Sequence, residues 1–255
     1  MTAKDDLDVL WSDEDYVAVA KPAGLATIPG RGETDSVLER LGRQLGLPSS
    51  GTQDPRLRVV HRLDKDTSGL LVFAKHVAAQ RHLSHQFQNN LVEKEYLALV
   101  SGRPEKAEGE IDAALGPHPT ARLRMAVLKH GGRPARTLWK IEETFRTYTL
   151  VRVFPKTGKT HQIRVHLRHI GLPLAIDPLY NPPRPGVPAG IFLRSFKRDY
   201  RAASGQPERP LMDRLTLHAE RIRFTLPNGE RKELTAPIPK DFRALLNQLR
   251  RHSGR

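Results

Sequence analysis

Between residues 95 and 154 the chain reads as strand after strand, with turn residues where helical crossovers would otherwise stand. This texture constrains the fold more than any other feature. Segments 95–100, 122–128, 137–144 and 148–154 alternate or are β-branched over strand length. Earlier runs of the same kind cover 16–20, stopped by Pro22 and Gly24, then 57–60 and 70–74. A later one at 221–226 is followed by the turn residues Pro227-Asn228-Gly229. Helical spacing predicts four segments. These are 35–45 on Val37, Leu38, Leu41 and Leu45; 76–89 on Val77, Leu83 and Phe87; 160–170 on Ile163, Leu167 and Ile170; and 241–250 on Phe242, Leu245, Leu246 and Leu249. Thr160 can cap the third, and Gly171-Leu172-Pro173 stops it. Strands that outnumber helices and join through short turns imply an α+β fold with a mainly antiparallel sheet, not a doubly wound parallel one. With no repeat, low-complexity tract or linker, residues 1–255 are expected to form a single domain.

Composition narrows the function classes. Of 255 residues, 38% are hydrophobic and 27% charged, as in a folded soluble protein. No apolar run approaches the roughly 20 residues that span a bilayer. The first residues, Met1-Thr2-Ala3-Lys4-Asp5-Asp6, lack the apolar core of a secretory signal. The absence of cysteine excludes disulfides, thiolate nucleophiles and Cys-based zinc sites, and fits a reducing cytoplasm. A net charge of +14 attracts polyanions, though a generally basic or solubility-tuned surface has the same sign. Between Arg122 and Arg168 the basic residues include Arg124, Lys129, Arg133, Arg136, Lys140, Arg146, Arg152, Lys156, Lys159 and Arg164, opposed only by Glu142 and Glu143. Such one-sidedness is the footprint of a phosphate-binding face.

Asp64 is the residue most suggestive of chemistry. It follows an apolar strand, lies two positions after Arg62, and is succeeded by Thr67-Ser68-Gly69, whose hydroxyls and permissive backbone can fix a loop. An Arg62–Asp64 pair that merely orders this loop is the structural alternative.

The full stretch His61-Arg62-Leu63-Asp64-Lys65-Asp66-Thr67-Ser68-Gly69-Leu70-Leu71-Val72-Phe73-Ala74-Lys75 closely resembles the signature of the RluA-type family of RNA pseudouridine synthases. The related RsuA type usually has Gly at the position of His61. Lys21-Pro22-Ala23-Gly24-Leu25 resembles the family's opening motif, and Lys94-Glu95-Tyr96-Leu97-Ala98 the segment holding its active-site tyrosine. Lys159-Thr160-His161-Gln162-Ile163-Arg164-Val165-His166-Leu167, with Gly171-Leu172-Pro173 and residues 177–180, resembles its third block. The likeness runs from about Tyr16 to Tyr180 and weakly on through Leu217-His218-Ala219.

The resemblance implies the pseudouridine synthase fold, with a mixed sheet and flanking helices, and a role for each matched residue. Asp64 would be the nucleophile or base that begins breaking the glycosidic bond, by attack on ribose, attack on the base, or abstraction of a sugar proton. Arg164 would pair with Asp64 and keep it ionised. Tyr96 would stack on the target base and assist proton movement at C5. Arg62 would help displace the target nucleotide or fill the space left behind, and Lys21 and His61 are grouped with it as RNA or base-flipping residues.

Residue patterns alone leave other readings open. Tyr96 fits a core tyrosine, and Arg164 with Arg168 fits a solvated helix face. Lys21 fits a surface lysine or a phosphate contact, and His166 with His169 a metal pair that nothing nearby completes. The family usually has Gly where this chain has Ile176, which questions the turn before Asp177. The residues before the lysine–proline motif are too few for an N-terminal S4 domain, so none is expected. The basic stretch 194–214 reads as either an RNA-contacting insertion or a loop.

The expectation is therefore a cofactor-free, metal-free isomerase of uridine in structured RNA (ribosomal or transfer), cytoplasmic and monomeric, without membrane association or an obligate protein partner. A catalytically silent RNA-binding or ribosome-assembly protein and a glycosidase built on Asp64 are the rivals. The second rival lacks an evident partner carboxylate.

Overall fold

The computed structural model describes residues 6–30, 34–49, 55–121, 123–183, 185, 189–197, 200 and 208–252. The chain folds into two compact units, Met1–Tyr96 with His218–Pro237, and Leu97–Leu217 with Ile238–Arg255. The expected mixed, mainly antiparallel sheet with flanking helices is what forms.

In the first unit, β1 (Asp8–Ser12) pairs antiparallel with β2 (Tyr16–Lys21), and β2 with β4 (Ser68–Ala74). The short β3 (Arg58–Val59) also pairs antiparallel with β4. Next, β11 (Leu217–Thr225) joins β4 in parallel, and β12 (Arg231–Thr235) joins β11 antiparallel. Alternation explains why β4 is apolar from Leu70 to Ala74. Leu70, Val72 and Ala74 share one core with Tyr16, Ala18 and the α2 (Val77–Gln88) residues Ala79 and Leu83. Leu71 and Phe73 share the opposite core with Val17, Val19 and the α1 (Val37–Leu45) residues Val37, Leu38 and Leu41. A strand covered on both faces has no polar side to show.

Gly69 stands at the closest approach. Its φ is +126°, and a Cβ there would lie 2.2 Å from Ala219 O of β11. Only glycine lets the two strands meet at the pair Ala219↔Gly69.

The second unit carries the strand order β5-β10-β9-β6, where β5 is Glu93–Ser101, β6 Glu108–Asp112, β9 Arg136–Thr144 and β10 Tyr148–Pro155. β7 (Leu115–Pro117) and β8 (Met125–Val127) form a separate two-stranded sheet. α4 (Lys240–His252) buries Phe242, Leu245, Leu246 and Leu249 against Leu97, Leu99, Phe145 and Leu150. That is the face its spacing predicts.

Several local expectations are corrected. Helix α3 (Gln162–His169) is preceded not by a Thr160 cap but by His161, in left-handed backbone with no side-chain cap bond. The 122–128 strand shrinks to β8, and Arg122 lies outside the described residues. Val77 is exposed, while Gln86 goes inward because its amide pairs with both N–H and C=O of Thr225. Ile176 needs no glycine, since among the described residues the non-glycine positions with positive φ are Asn90 and His161. Of the 194–214 stretch, 198, 199 and 201–207 lie outside the described residues; Arg194 caps the Phe192 ring and Arg214 is held by Asp241.

Candidate active site

The loop between β3 and β4 presents Asp64. Leu63 beside it is anchored in the α1-side core, Arg62 is exposed, Asp64 is half-buried, and Thr67 N–H closes the turn onto Asp64 O at 3.1 Å. Three braces fix this loop.

The first is Lys21. It is 2% exposed, and its Nζ donates to Pro22 O, Leu25 O and Lys65 O at 2.8, 2.6 and 2.7 Å. An ammonium has three N–H donors, so these carbonyls match its capacity. Gly24 N–H, on a φ of +81°, adds a bond to Lys65 O at 2.9 Å. At 2% exposure Lys21 is not a surface lysine. Its buried head group instead ties the lysine–proline turn to the residue after Asp64.

The second brace is Thr27, whose hydroxyl donates to Leu63 O at 3.0 Å and accepts Leu63 N–H at 3.2 Å. The third is His61. Its Nε2 accepts the Val72 N–H at 3.0 Å and its ring stacks on Phe87, with centroids 4.6 Å apart. Withdrawal from water, with the Lys94 charge adding to it, pushes its pKa down to about 3. The accepting Nε2 places the proton of the neutral ring on Nδ1. His61 thus pins the entry of the loop to β4.

Tyr96, on β5, packs against the same core as Leu63. Burial first, and then the Asp64 charge, raise its pKa. The structure therefore brings Asp64 and Tyr96 within electrostatic reach of each other and holds the phenol neutral.

Arg164 belongs to the second unit. It is 4% exposed, so the solvated-face reading fails, while Arg168 on the same helix is exposed. Its Nε and Nη2 pair with Asp177 Oδ2 and Oδ1, both at 2.8 Å, a bidentate arrangement inside the fold. His166 is occupied on both nitrogens, by Thr137 Oγ1 at 2.9 Å and Ala113 O at 3.0 Å, which leaves it no lone pair for a metal.

Sequence reasoning overlooked Thr27, 36 residues before its partner, and gave Asp177 no role. Nothing in the local pattern of Thr27 marks it. Asp177 could have been found as the carboxylate a buried arginine requires.

The profile of the RNA pseudouridylate synthase family matches residues 15–169. The chain belongs to this family. The match crosses both compact units and contains Lys21, Asp64, Tyr96 and Arg164. A pseudouridylate synthase of similar sequence is the ribosomal large subunit pseudouridine synthase D of Nitrosomonas europaea, 41% identical over 245 residues, covering 96% of this chain and 65% of that protein. The protein of the same name from Neisseria meningitidis serogroup B is 39% identical over 97% of this chain and 62% of its own length. The chain thus spans less than two thirds of either relative. Among solved structures, human RNA pseudouridylate synthase domain containing 1 has the same fold, with a TM-score of 0.70 at 24% identity over 94% of this chain and 86% of that one.

Proposed function

We propose that this chain is an RNA pseudouridine synthase in which Asp64 is the catalytic nucleophile or base, acting on a uridine flipped out of structured RNA. The observation that carries the proposal is the braced loop. A half-buried aspartate on a loop braced at three points, within electrostatic reach of a neutral phenol, supports the reading of a pre-organised reacting group over an ordinary surface carboxylate.

The reaction breaks the N1–C1′ bond, turns the uracil and forms a C5–C1′ bond. N1 gains a proton and C5 loses one, so nothing is oxidised or hydrolysed. Asp64 can start this by attacking ribose, attacking the base or removing a sugar proton, and each route needs it ionised. Arg164 is assigned as the cation that favours that state. Tyr96 stays protonated, which suits stacking on the base and hydrogen bonding more than acting as phenolate. Arg62, exposed on the same loop, is assigned to occupy the space the flipped nucleotide leaves.

Both units are read as one catalytic domain, since the family match runs through each. The names of the bacterial relatives favour large-subunit ribosomal RNA over transfer RNA as substrate, and the +14 charge suits either. A monomer acting in the cytoplasm without an obligate protein partner completes the reading; among the described residues no helix is long and apolar enough to cross a membrane.

Incubation with uridine-labelled ribosomal and transfer RNA, followed by nucleoside analysis, tests it. Pseudouridine at a defined position is the expected result. Unchanged RNA would point to a binding protein, and released uracil to a glycosidase.

A further inference from the structure

Tyr180 is engaged through its backbone, its hydroxyl and its ring. It is 4% exposed. Its N–H donates to Asp177 Oδ1 at 3.0 Å, and its carbonyl accepts from Arg168 Nη1. Its phenol oxygen accepts the Met125 N–H at 2.8 Å and lies 2.8 Å from His161 Nδ1. His161 meets the ring edge-on, with centroids 5.6 Å apart. The face of that ring lies under the Arg164 guanidinium, 5.0 Å from Cζ to centroid.

Two features separate this cluster from ordinary packing. His161 adopts φ +55°, a conformation that a bulky residue other than glycine takes at a cost of about 1 kcal/mol or more. The strain places its imidazole on the Tyr180 hydroxyl. Second, Asp177 and Tyr180 act on one guanidinium in complementary ways. The carboxylate takes the Nε–Nη2 edge, fixing the rotation of the plane, and the ring covers one face, fixing its tilt. Together they direct the opposite edge, Nη1 and the second Nη2 proton.

We propose that Tyr180, oriented by His161, is a positioning residue for Arg164, setting the direction in which its guanidinium delivers charge. This deepens the proposed function and rests on it for the link to catalysis; the positioning itself does not. A pre-organised cation stabilises an ionised carboxylate most when it needs no reorganisation, and small misplacements have large effects on rate.

The test pairs two measurements on the full chain. Single-turnover pseudouridine formation at saturating enzyme is compared for wild type, Tyr180→Phe, Tyr180→Leu, His161→Ala and the Tyr180→Phe/His161→Ala double variant. The Arg164 Nε–H resonance is followed by NMR for its ring-current shift and solvent exchange. Tyr180→Phe keeps the ring and removes the hydroxyl, and it is the variant least exposed to folding failure. The expected results are a rate loss of about tenfold for Tyr180→Phe and about a hundredfold for Tyr180→Leu, with RNA affinity retained. His161→Ala should add nothing to Tyr180→Phe, because both act through one hydroxyl. The Arg164 resonance should lose its ring shift and exchange faster in Tyr180→Leu. Wild-type rates in all variants, or an Arg164 resonance unmoved by Tyr180→Leu, would overturn the proposal. A wild-type chain that forms no pseudouridine would defeat the functional reading alone, and the resonance would then decide the positioning.

Discussion

Lys21 shows how a residue's role turns on where its head group points. Beside Pro22 and Gly24 in sequence, it resembles a surface cation; in the fold its ammonium meets three carbonyls inside the protein. Replacing it with Met keeps the stem and removes the ammonium donors from Pro22 O, Leu25 O and Lys65 O, of which the Leu25 bond is the buried one. The expected cost is about 2–4 kcal/mol in denaturant unfolding, with most of the loss of protection from hydrogen exchange at residues 22–25 and 63–67. An unchanged midpoint would show that the clamp contributes nothing. His61 belongs to the same scale. Its pKa falls from 6.5 to about 3 in the folded chain, so the unfolded state binds the extra proton between those values. Stability carried by the neutral ring is therefore full above about pH 6.5 and declines as the pH falls toward 3. His61→Gln retains an acceptor for Val72 N–H but does not titrate. Its unfolding free energy is expected to vary less with pH across that window than that of wild type, as measured by urea titrations at several pH values.

At the scale of elements, the pattern is most legible where burial repeats. The α4 face, the α1 face over Val37, Leu38 and Leu41, and the apolar 70–74 run of β4 follow from spacing, because one side or both sides of each meet a core, while Leu45 at the end of α1 is exposed. The strands β1, β6 and β12 are not legible. Their sequences, Asp-Val-Leu-Trp-Ser, Glu-Gly-Glu-Ile-Asp and Arg-Lys-Glu-Leu-Thr, carry few buried residues and form through neighbours already in place. The parallel join of β11 to β4 is equally hidden, since it rests on a missing side chain at Gly69 and not on any apolar signal. Gly69→Ala puts a methyl 2.2 Å from Ala219 O on a backbone of φ +126°. Because strand backbones, not a flexible side chain, must move, a loss of more than about 3 kcal/mol is expected, enough to leave much of the chain unfolded. Near-native thermal stability in this variant would contradict the close approach of the two strands.

Across the whole molecule, charge is overstated by sequence and chemistry is understated. The basic run from 122 to 168 reads as nearly unopposed, yet Arg136 is paired with Glu110, Arg152 with Glu142 and Arg164 with Asp177. Glu142 and Glu143 are likewise engaged, the latter by Arg250. These acids lie far away in sequence or across a strand pair, so a linear count could not assign them. The candidate site shows the opposite. Asp64, Tyr96 and Arg164 are legible through resemblance, while the contacts around them, Thr27 on Leu63 and the Tyr180 ring against Arg164, emerge only once the chain is folded. Motifs carry the candidate reacting groups, and tertiary packing carries the contacts around them.

Release of tritium from C5 of uridine in RNA reads the central claim most directly, because forming the C5–C1′ bond expels that hydrogen. Asp64→Asn preserves shape and removes the charge. With wild-type chain, tritium release is expected to match pseudouridine formed, one for one; with Asp64→Asn it should fall by a factor on the order of a thousand or more while RNA binding persists. Release by Asp64→Asn at the wild-type rate would contradict the account.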